Sequence, residues 1–127
     1  MILIIDDDQA VQASLKIMFK QRGMDSTGVL DPSKALNKVQ SLKPDVILLD
    51  MNFTVSTTGK EGLSLLRQII QVAPGVPVIL ITGWATIELA IEGMKAGARD
   101  FLSKPWDNEH LFQSVQTVLS LNKKHSY

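Results

Sequence analysis

Short apolar runs alternate with amphipathic stretches along the whole sequence, and this alternation constrains the fold more than any other feature. Residues 46–49 and 78–81 are apolar at every position, as expected for strands that are covered on both faces. The stretches between such runs carry apolar residues at helical spacing, for example Val11, Leu15 and Phe19. Five strand–helix units in succession predict an α/β domain, in which helices cover both faces of a parallel sheet.

The limits of several elements can be predicted from capping and turn residues. Asp31 followed by Pro32 predicts the start of a helix, and Gly97 predicts the end of the fourth helix. A weaker strand is predicted over residues 24–29. The fourth helix is predicted from apolar residues at helical spacing, namely Ile87, Ala90, Ile91 and Met94.

Length and composition indicate a single domain with a hydrophobic core, because the chain has 127 residues, 45% of them hydrophobic and 20% charged. We assign residues 1–121 to this domain and residues 122–127 to a polar tail or the beginning of a linker. Lys and Arg together number 13, as do Asp and Glu, and this balance argues against direct nucleic-acid binding. No apolar run approaches the roughly 20 residues of a membrane span, and no basic segment precedes the N-terminal apolar run, so a cytoplasmic protein is expected.

Acidic, hydroxyl and ammonium side chains follow the predicted strands, at the point where each strand ends. Asp6 and Asp7 follow the first strand, and the third, fourth and fifth strands are followed by Asp50, Thr82 and Lys104. Ligands of such sheets bind beyond the carboxyl ends of the strands, so these side chains are predicted to form one site. Converging carboxylates repel one another unless a cation lies between them, and oxygen ligands without histidine or cysteine favour Mg²⁺ or a similar hard ion.

Asp50 follows four apolar residues and is predicted to lie at the mouth of the buried centre. A carboxylate in this position can attack a phosphoryl group and hold it as an acyl phosphate. Lys104 can neutralise charge on the transferring oxygens, and the Thr82 hydroxyl can donate a hydrogen bond to one of them. Each also has an ordinary interpretation, since lysine is common on surfaces and threonine is common in strands. Asp8 is expected to cap the first helix rather than to bind an ion.

The segments IIDDD, VILLDMN, VILITGWA and ARDFLSKPW resemble the four signature stretches of response-regulator receiver domains. The spacing also fits the family, since 32 positions separate Asp50 from Thr82 and 22 separate Thr82 from Lys104. The resemblance extends from Met1 to about Leu121 and implies a flavodoxin-like, doubly wound, five-stranded parallel sheet. The implied strand order is 2-1-3-4-5, and five helices on the two faces complete a three-layer sandwich.

The resemblance also implies roles for individual residues. Mg²⁺ would be held by Asp6, Asp7, Asp50 and the backbone carbonyl of Asn52. Asp50 would accept a phosphoryl group from the phosphohistidine of a sensor histidine kinase, and Thr82 and Lys104 would contact that group. The peptide bond before Pro105 would be cis, an isomer essentially confined to proline. Phe101 occupies the position of the family's switch aromatic, although an ordinary core role is equally compatible with the sequence.

The resemblance also implies an output domain and a partner for this domain. The end of the sequence resembles receivers that are joined to AAA+ transcription activators, so an output domain is expected outside this chain. Phosphorylation is expected to promote a homodimer through the fourth helix, fifth strand and fifth helix. The sequence departs from the family after Asp50, because Phe53 and Thr54 replace the usual Met-Pro pair and the path to Gly62 is about four residues longer.

The site also resembles those of three other kinds of protein in part. Asp50, Asn52 and Thr54 resemble the D-x-D-x-T motif of haloacid-dehalogenase-type phosphatases. However, Asn52 replaces the aspartate that serves as general acid and base there, and an amide cannot shuttle protons. A pseudo-receiver would be expected to lack part of the acid, Thr and Lys set. A flavodoxin-like cofactor binder would be expected to have a phosphate-binding loop where this chain has three aspartates.

Overall fold

The computed structural model describes residues 1–51, 60–83 and 87–124. Within these ranges the strands are β1 (Ile2–Ile5), β2 (Ser26–Val29), β3 (Val46–Asp50), β4 (Val78–Thr82) and β5 (Asp100–Ser103). The helices are α1 (Gln9–Gln21), α2 (Ala35–Leu42), α3 (Lys60–Val72), α4 (Ile87–Lys95) and α5 (Asn108–Lys124), and a 3₁₀ turn (Pro32–Lys34) leads into α2. Strands and helices therefore alternate as the apolar pattern predicts.

The strands of the described ranges form one parallel sheet in the order β2-β1-β3-β4-β5. This arrangement confirms the predicted α/β class and the strand order that the family resemblance implies. Strands are added on one side of β1 and then on the other, so the order reverses between β1 and β3. The carboxyl ends of these two strands mark the edge of the sheet at which such folds bind ligands.

The core consists of two apolar layers, one on each face of the sheet. β1, β3 and β4 are buried at every position, which explains their uninterrupted apolar runs. One layer is closed by α2, α3 and α4, with Val39, Leu66 and Ile69 among its buried side chains. The other is closed by α1 and α5, with Leu15, Phe19, Leu111 and Val115. Each such side chain contributes about 1.5–3 kcal/mol when it is fully buried. Among the described helices, none is both long enough and apolar enough to cross a membrane.

Some element limits differ from those predicted. Asp31 caps as expected, since its carboxylate accepts the Ser33 N–H at 3.0 Å, but a 3₁₀ turn follows and α2 begins only at Ala35. β2 is two residues shorter than the predicted strand over residues 24–29. α5 extends to Lys124, since neither glycine nor proline interrupts its hydrogen bonding.

α4 is present as predicted, but two of the apolar residues that indicated it are exposed. Leu89 is only 8% exposed and Gly93 is buried, whereas Ile91 and Met94 are 47% and 45% exposed. A Cβ atom at position 93 would lie 2.3 Å from Cδ1 of Leu80, so the helix approaches β4 closely at the glycine. This close approach sets the rotation of α4 and leaves its larger apolar side chains outside. The side chain of Ile87 lies outside the described residues.

Candidate functional site at the carboxyl edge of the sheet

Side chains from four neighbouring strands meet at one edge of the sheet. Asp6 directly follows β1, and Asp50 is the last residue of β3. Thr82 is the last residue of β4, and Lys104 directly follows β5. Because the strands are parallel and in register, all of these ends lie on the same side, as the sequence predicts.

Three carboxylates converge at this edge. One oxygen from each of Asp6, Asp7 and Asp50 can be chosen so that all lie within 4.8 Å of one another. Asp6 and Asp50 are each only 2% exposed, and Asp7 is half-buried. Asn52, whose carbonyl the family resemblance adds to this set, lies outside the described residues.

Lys104 contacts two of these acids. Its Nζ atom lies 3.3 Å from Oδ1 of Asp50 and 3.6 Å from Oδ2 of Asp6, and its side chain is 27% exposed. The backbone N–H of Lys104 donates to the carbonyl of Thr82 at 2.7 Å, which holds the start of the β5–α5 loop against the end of β4. The peptide bond between Lys104 and Pro105 is cis, the isomer that the family resemblance implies.

The negative charge of Asp6 is only partly compensated by its surroundings. Burial raises the pKa of the Asp6 carboxyl above its ordinary value, and the negative charges of Asp7 and Asp8 raise it further. The backbone N–H of Asp8 and the ammonium of Lys104 lower the pKa in part, without cancelling the rise. A cluster of hard oxygen donors in which a buried carboxylate resists ionisation fits a divalent cation such as Mg²⁺.

Asp6 and Asp8, in the loop between β1 and α1, have different roles. The N–H of Asp8 donates to Oδ1 of Asp6 at 2.9 Å, and this bond orients the Asp6 carboxylate. The carboxylate of Asp8 itself accepts the N–H groups of Ala10 and Val11 at 2.8 and 3.3 Å. Asp8 is therefore the N-cap of α1, as expected from its position before an apolar helical pattern.

Thr82 and Phe101 lie on the face of the sheet that α3 and α4 cover. Side chains alternate along a strand, so Thr82 shares the face of Leu80, which belongs to the same core layer as Phe101. Thr82 is fully buried and Phe101 is half-buried against this layer. Phe101 thus packs on the core from an edge strand, a position compatible with both interpretations of this residue.

Of the two tryptophans in the chain, Trp106 falls among the described residues. Trp106 lines a groove of about 470 Å³ together with Lys104 and Pro105, and Val11 and Ser14 of α1 form its other wall. The Trp106 indole N–H donates to Oδ1 of Asn108 at 3.1 Å. Trp84 lies outside the described residues.

Gln12 is a residue of this region that the sequence analysis missed. It is 5% exposed, and its amide nitrogen lies within hydrogen-bonding distance of the carbonyls of Ile4, Asp6 and Val29. A signal was present, because Gln12 precedes Leu15 and Phe19 of the inward face at helical spacing. A polar residue in that register indicates a buried hydrogen-bonding role.

Comparisons with known proteins agree on one family. The family model of the response regulator receiver domain matches residues 2–116. Among curated proteins, the chain is 33% identical to the C4-dicarboxylate transport transcriptional regulatory protein DctD of Pseudomonas aeruginosa and 30% identical to the DNA-binding response regulator MtrA of Mycolicibacterium smegmatis. Each match covers 96% of this chain, but only 26% of DctD and 51% of MtrA.

The fold comparison agrees. A CheY-like response regulator receiver domain protein from Methanospirillum hungatei superimposes with a TM-score of 0.90 at 26% identity, over 98% of this chain and 97% of that one. The family resemblance read from the four signature stretches is thereby confirmed.

Proposed function

This chain belongs to the response regulator receiver domain family, and we propose that it is a phosphorylation switch with Asp50 as the acceptor. One observation carries the proposal: the Asp50 carboxylate is almost fully buried beside two further acids and 3.3 Å from the ammonium of Lys104. A nucleophilic carboxylate and a cation that can face the transferred oxygens therefore lie together at a strand end.

The proposed reaction is a transfer of one phosphoryl group. A carboxylate oxygen of Asp50 attacks the phosphorus of a phosphohistidine on a sensor kinase, the P–N bond breaks, and the imidazole leaves and takes up a proton. The product is an acyl phosphate on Asp50. Lys104 neutralises charge on the phosphoryl oxygens, and the Thr82 hydroxyl donates to one of them. We infer that the domain also assists the later hydrolysis of this phosphate, since the same groups face it.

A Mg²⁺ ion would be held by Asp6, Asp7 and Asp50, with Asn52 contributing a backbone carbonyl as the family resemblance implies. When bound, the ion supplies positive charge to the phosphoryl oxygens. The carboxylates fit this task because they are close together and hard, and because the buried Asp6 lacks full compensation by Lys104.

The signal would leave the site through Thr82 and Phe101. When a phosphoryl group draws the Thr82 hydroxyl towards it, the hydroxyl leaves space on the face where Phe101 packs. A hydrogen bond is thereby coupled to a packing change.

We propose that residues 1–121 form the receiver, that an output domain such as a transcription activator receives the signal, and that the protein acts in the cytoplasm. Its relatives MtrA and DctD are named as DNA-binding and transcriptional regulators, which supports such an output.

No observation on the described residues favours the phosphatase alternative. Its distinguishing positions, Asn52 and Thr54, lie outside the described ranges, and the family match is to receivers.

The proposal is tested by labelling with a small phosphodonor such as acetyl phosphate in Mg²⁺, followed by intact-mass measurement. The parent protein is expected to gain a single phosphoryl group. Asp50→Asn keeps the side-chain shape but removes the nucleophilic oxygen, so we expect labelling to fall at least a hundredfold, in line with the loss of a catalytic group. Asp25→Asn, an exposed acid at the opposite edge of the sheet, is the matched control and should label like the parent. Equal labelling of Asp50→Asn and the parent would refute the assignment.

A further inference from the structure

We propose that Gln12 is a positioning residue for the acidic loop that follows β1, and that Gly28 of β2 is required to make room for it. This inference rests on the proposed function, since it concerns the affinity of the Asp6–Asp7–Asp50 cluster for a divalent cation. Gln12 does not touch the cluster through its side-chain oxygen; it acts through the backbone of Asp6.

The side-chain amide of Gln12 donates hydrogen bonds to carbonyls at the carboxyl ends of both β1 and β2. Its Nε2 atom lies 2.9 Å from the carbonyl of Ile4, 3.1 Å from that of Asp6 and 3.1 Å from that of Val29. The two amide hydrogens thus serve three carbonyls, and one of these belongs to a candidate cation ligand. The Val29 carbonyl also accepts the Asp6 N–H at 3.1 Å. The backbone of Asp6 is therefore held on both sides, at its N–H by Val29 and at its carbonyl by Gln12.

This restraint bears on the direction of the Asp6 carboxylate. Asp6 is 2% exposed, and its carboxylate is held by the N–H of Asp8, the residue that begins α1 as its N-cap. Gln12 belongs to the first turns of the same helix, so a single rigid unit sets both the backbone and the side chain of Asp6. Groups that orient a metal ligand in this way typically change metal affinity by about 10–100-fold when they are removed.

Gly28 leaves the space that the Gln12 amide needs. A Cβ atom at position 28 would lie 2.2 Å from Oε1 and 2.7 Å from Cδ of Gln12, far inside contact distance. Within the described part of the chain no hydrogen-bond donor reaches the buried Oε1 atom. The oxygen instead faces the hydrogen that glycine carries in place of a side chain, a weak contact that only this residue type permits. The sequence of an edge strand is thereby linked to the geometry of the cation site.

The first experiment compares Mg²⁺ binding to the parent and to Gln12→Met by isothermal titration calorimetry at a temperature where both are folded. Methionine matches glutamine in length but donates no hydrogen bond, so Asp6 loses one of its two backbone restraints. We expect Mg²⁺ to bind about tenfold more weakly. Gln21→Met, an exposed glutamine near the end of the same helix, is the matched control and should bind like the parent.

The second experiment uses the steric relation to Gly28. Gly28→Ala is expected to push the amide away from the carbonyls and to weaken Mg²⁺ binding as Gln12→Met does. In a Gln12→Ala background the clashing atoms are absent, so Gly28→Ala should cause no further loss, and the two effects should be non-additive. If Gln12→Met does not fold, the comparison of Gly28→Ala in the two backgrounds tests the proposal instead.

A purely structural role would lower the midpoint of unfolding and leave cation affinity unchanged. Parent-like Mg²⁺ affinity in folded Gln12→Met, or an equal effect of Gly28→Ala in both backgrounds, would overturn the proposal. Binding of Mg²⁺ by the parent and labelling of Asp50 report on the proposed function itself. The affinity ratio between variant and parent reports on Gln12 alone, so the two failures are distinguishable.

Discussion

The Asp6 carboxyl group illustrates how the site is built at the scale of one residue. Burial raises its pKa, and neighbouring acids add to this rise, while Lys104 and the Asp8 N–H oppose it only in part. The folded protein therefore binds a proton on Asp6 more tightly than the unfolded chain does. The contribution of this group to stability is fully present below the ordinary carboxyl pKa and is lost as pH rises through the raised pKa of the folded state.

Asp6→Asn is accordingly expected to stabilise the metal-free protein above the raised pKa. Asparagine keeps an oxygen that can accept the Asp8 N–H but carries no charge, so the free energy of unfolding should increase by about 1 kcal/mol near neutral pH. The advantage should disappear as pH falls below the ordinary carboxyl range, because Asp6 is then neutral in both states. Urea unfolding in a chelator across this pH range measures the difference, with Asp25→Asn as the exposed control. A constant difference at every pH would contradict the explanation.

At the scale of elements, α4 shows that local apolarity does not decide which face of a helix is buried. Its packing face contains Leu89 and the glycine at position 93, which lets the helix approach Leu80 of β4. Ile91 and Met94 remain about half exposed, although they are the larger apolar residues. The surface of α4 therefore carries apolar area that is not needed for the fold of this domain.

Truncating one buried and one exposed apolar side chain of α4 should show which face of the helix stabilises the fold. Leu89→Ala removes a buried side chain and is expected to cost about 2–4 kcal/mol. Ile91→Ala removes an exposed side chain and should change the free energy of unfolding by less than about 0.5 kcal/mol. Urea unfolding of both variants gives the comparison. A larger loss for Ile91→Ala than for Leu89→Ala would mean that α4 packs on the sheet through the face of Ile91.

At the scale of the whole molecule, α4, β5 and α5 are the elements through which we expect two copies to associate. Ile91, Lys95 and Arg99 are exposed, and the carboxylate of the half-buried Asp100 accepts the Phe101 N–H at 2.7 Å and the Ser114 hydroxyl of α5. This face offers apolar and charged groups beside the proposed switch aromatic. A two-fold dimer through it needs only that phosphorylation shift a conformational equilibrium, and a change from 1:99 to 99:1 requires about 5.5 kcal/mol.

We expect the phosphate mimic beryllofluoride to raise the dimer fraction of the parent in sedimentation velocity. Ile91→Ser should remove this response without loss of stability, because the side chain is exposed on the face expected to form the interface and lies outside the core. Ile17→Ser is the matched control, since Ile17 is 59% exposed on α1, on the other side of the sheet. An unchanged monomer of the parent with and without the mimic would refute the dimer and leave the role of Asp50 untouched.

Several features of this protein follow from its sequence alone. The five strand–helix units follow from runs that are apolar throughout and from helical spacing between them, both of which are local patterns. The meeting of Asp6, Asp50, Thr82 and Lys104 also follows, because the carboxyl ends of parallel strands must share an edge. The cap of α1 by Asp8 is local as well, since the bonds it accepts reach only two and three residues ahead.

Only the tertiary structure decided the rotation of α4 and the burial of Gln12. Both depend on how closely a helix packs on the adjacent strand in three dimensions, at Gly93 against Leu80 and at Gln12 against Gly28. Helical periodicity identifies candidate faces but carries no information about such distances. The missing Cβ atom of a glycine matters only where an atom of another element occupies the position that the Cβ atom would take.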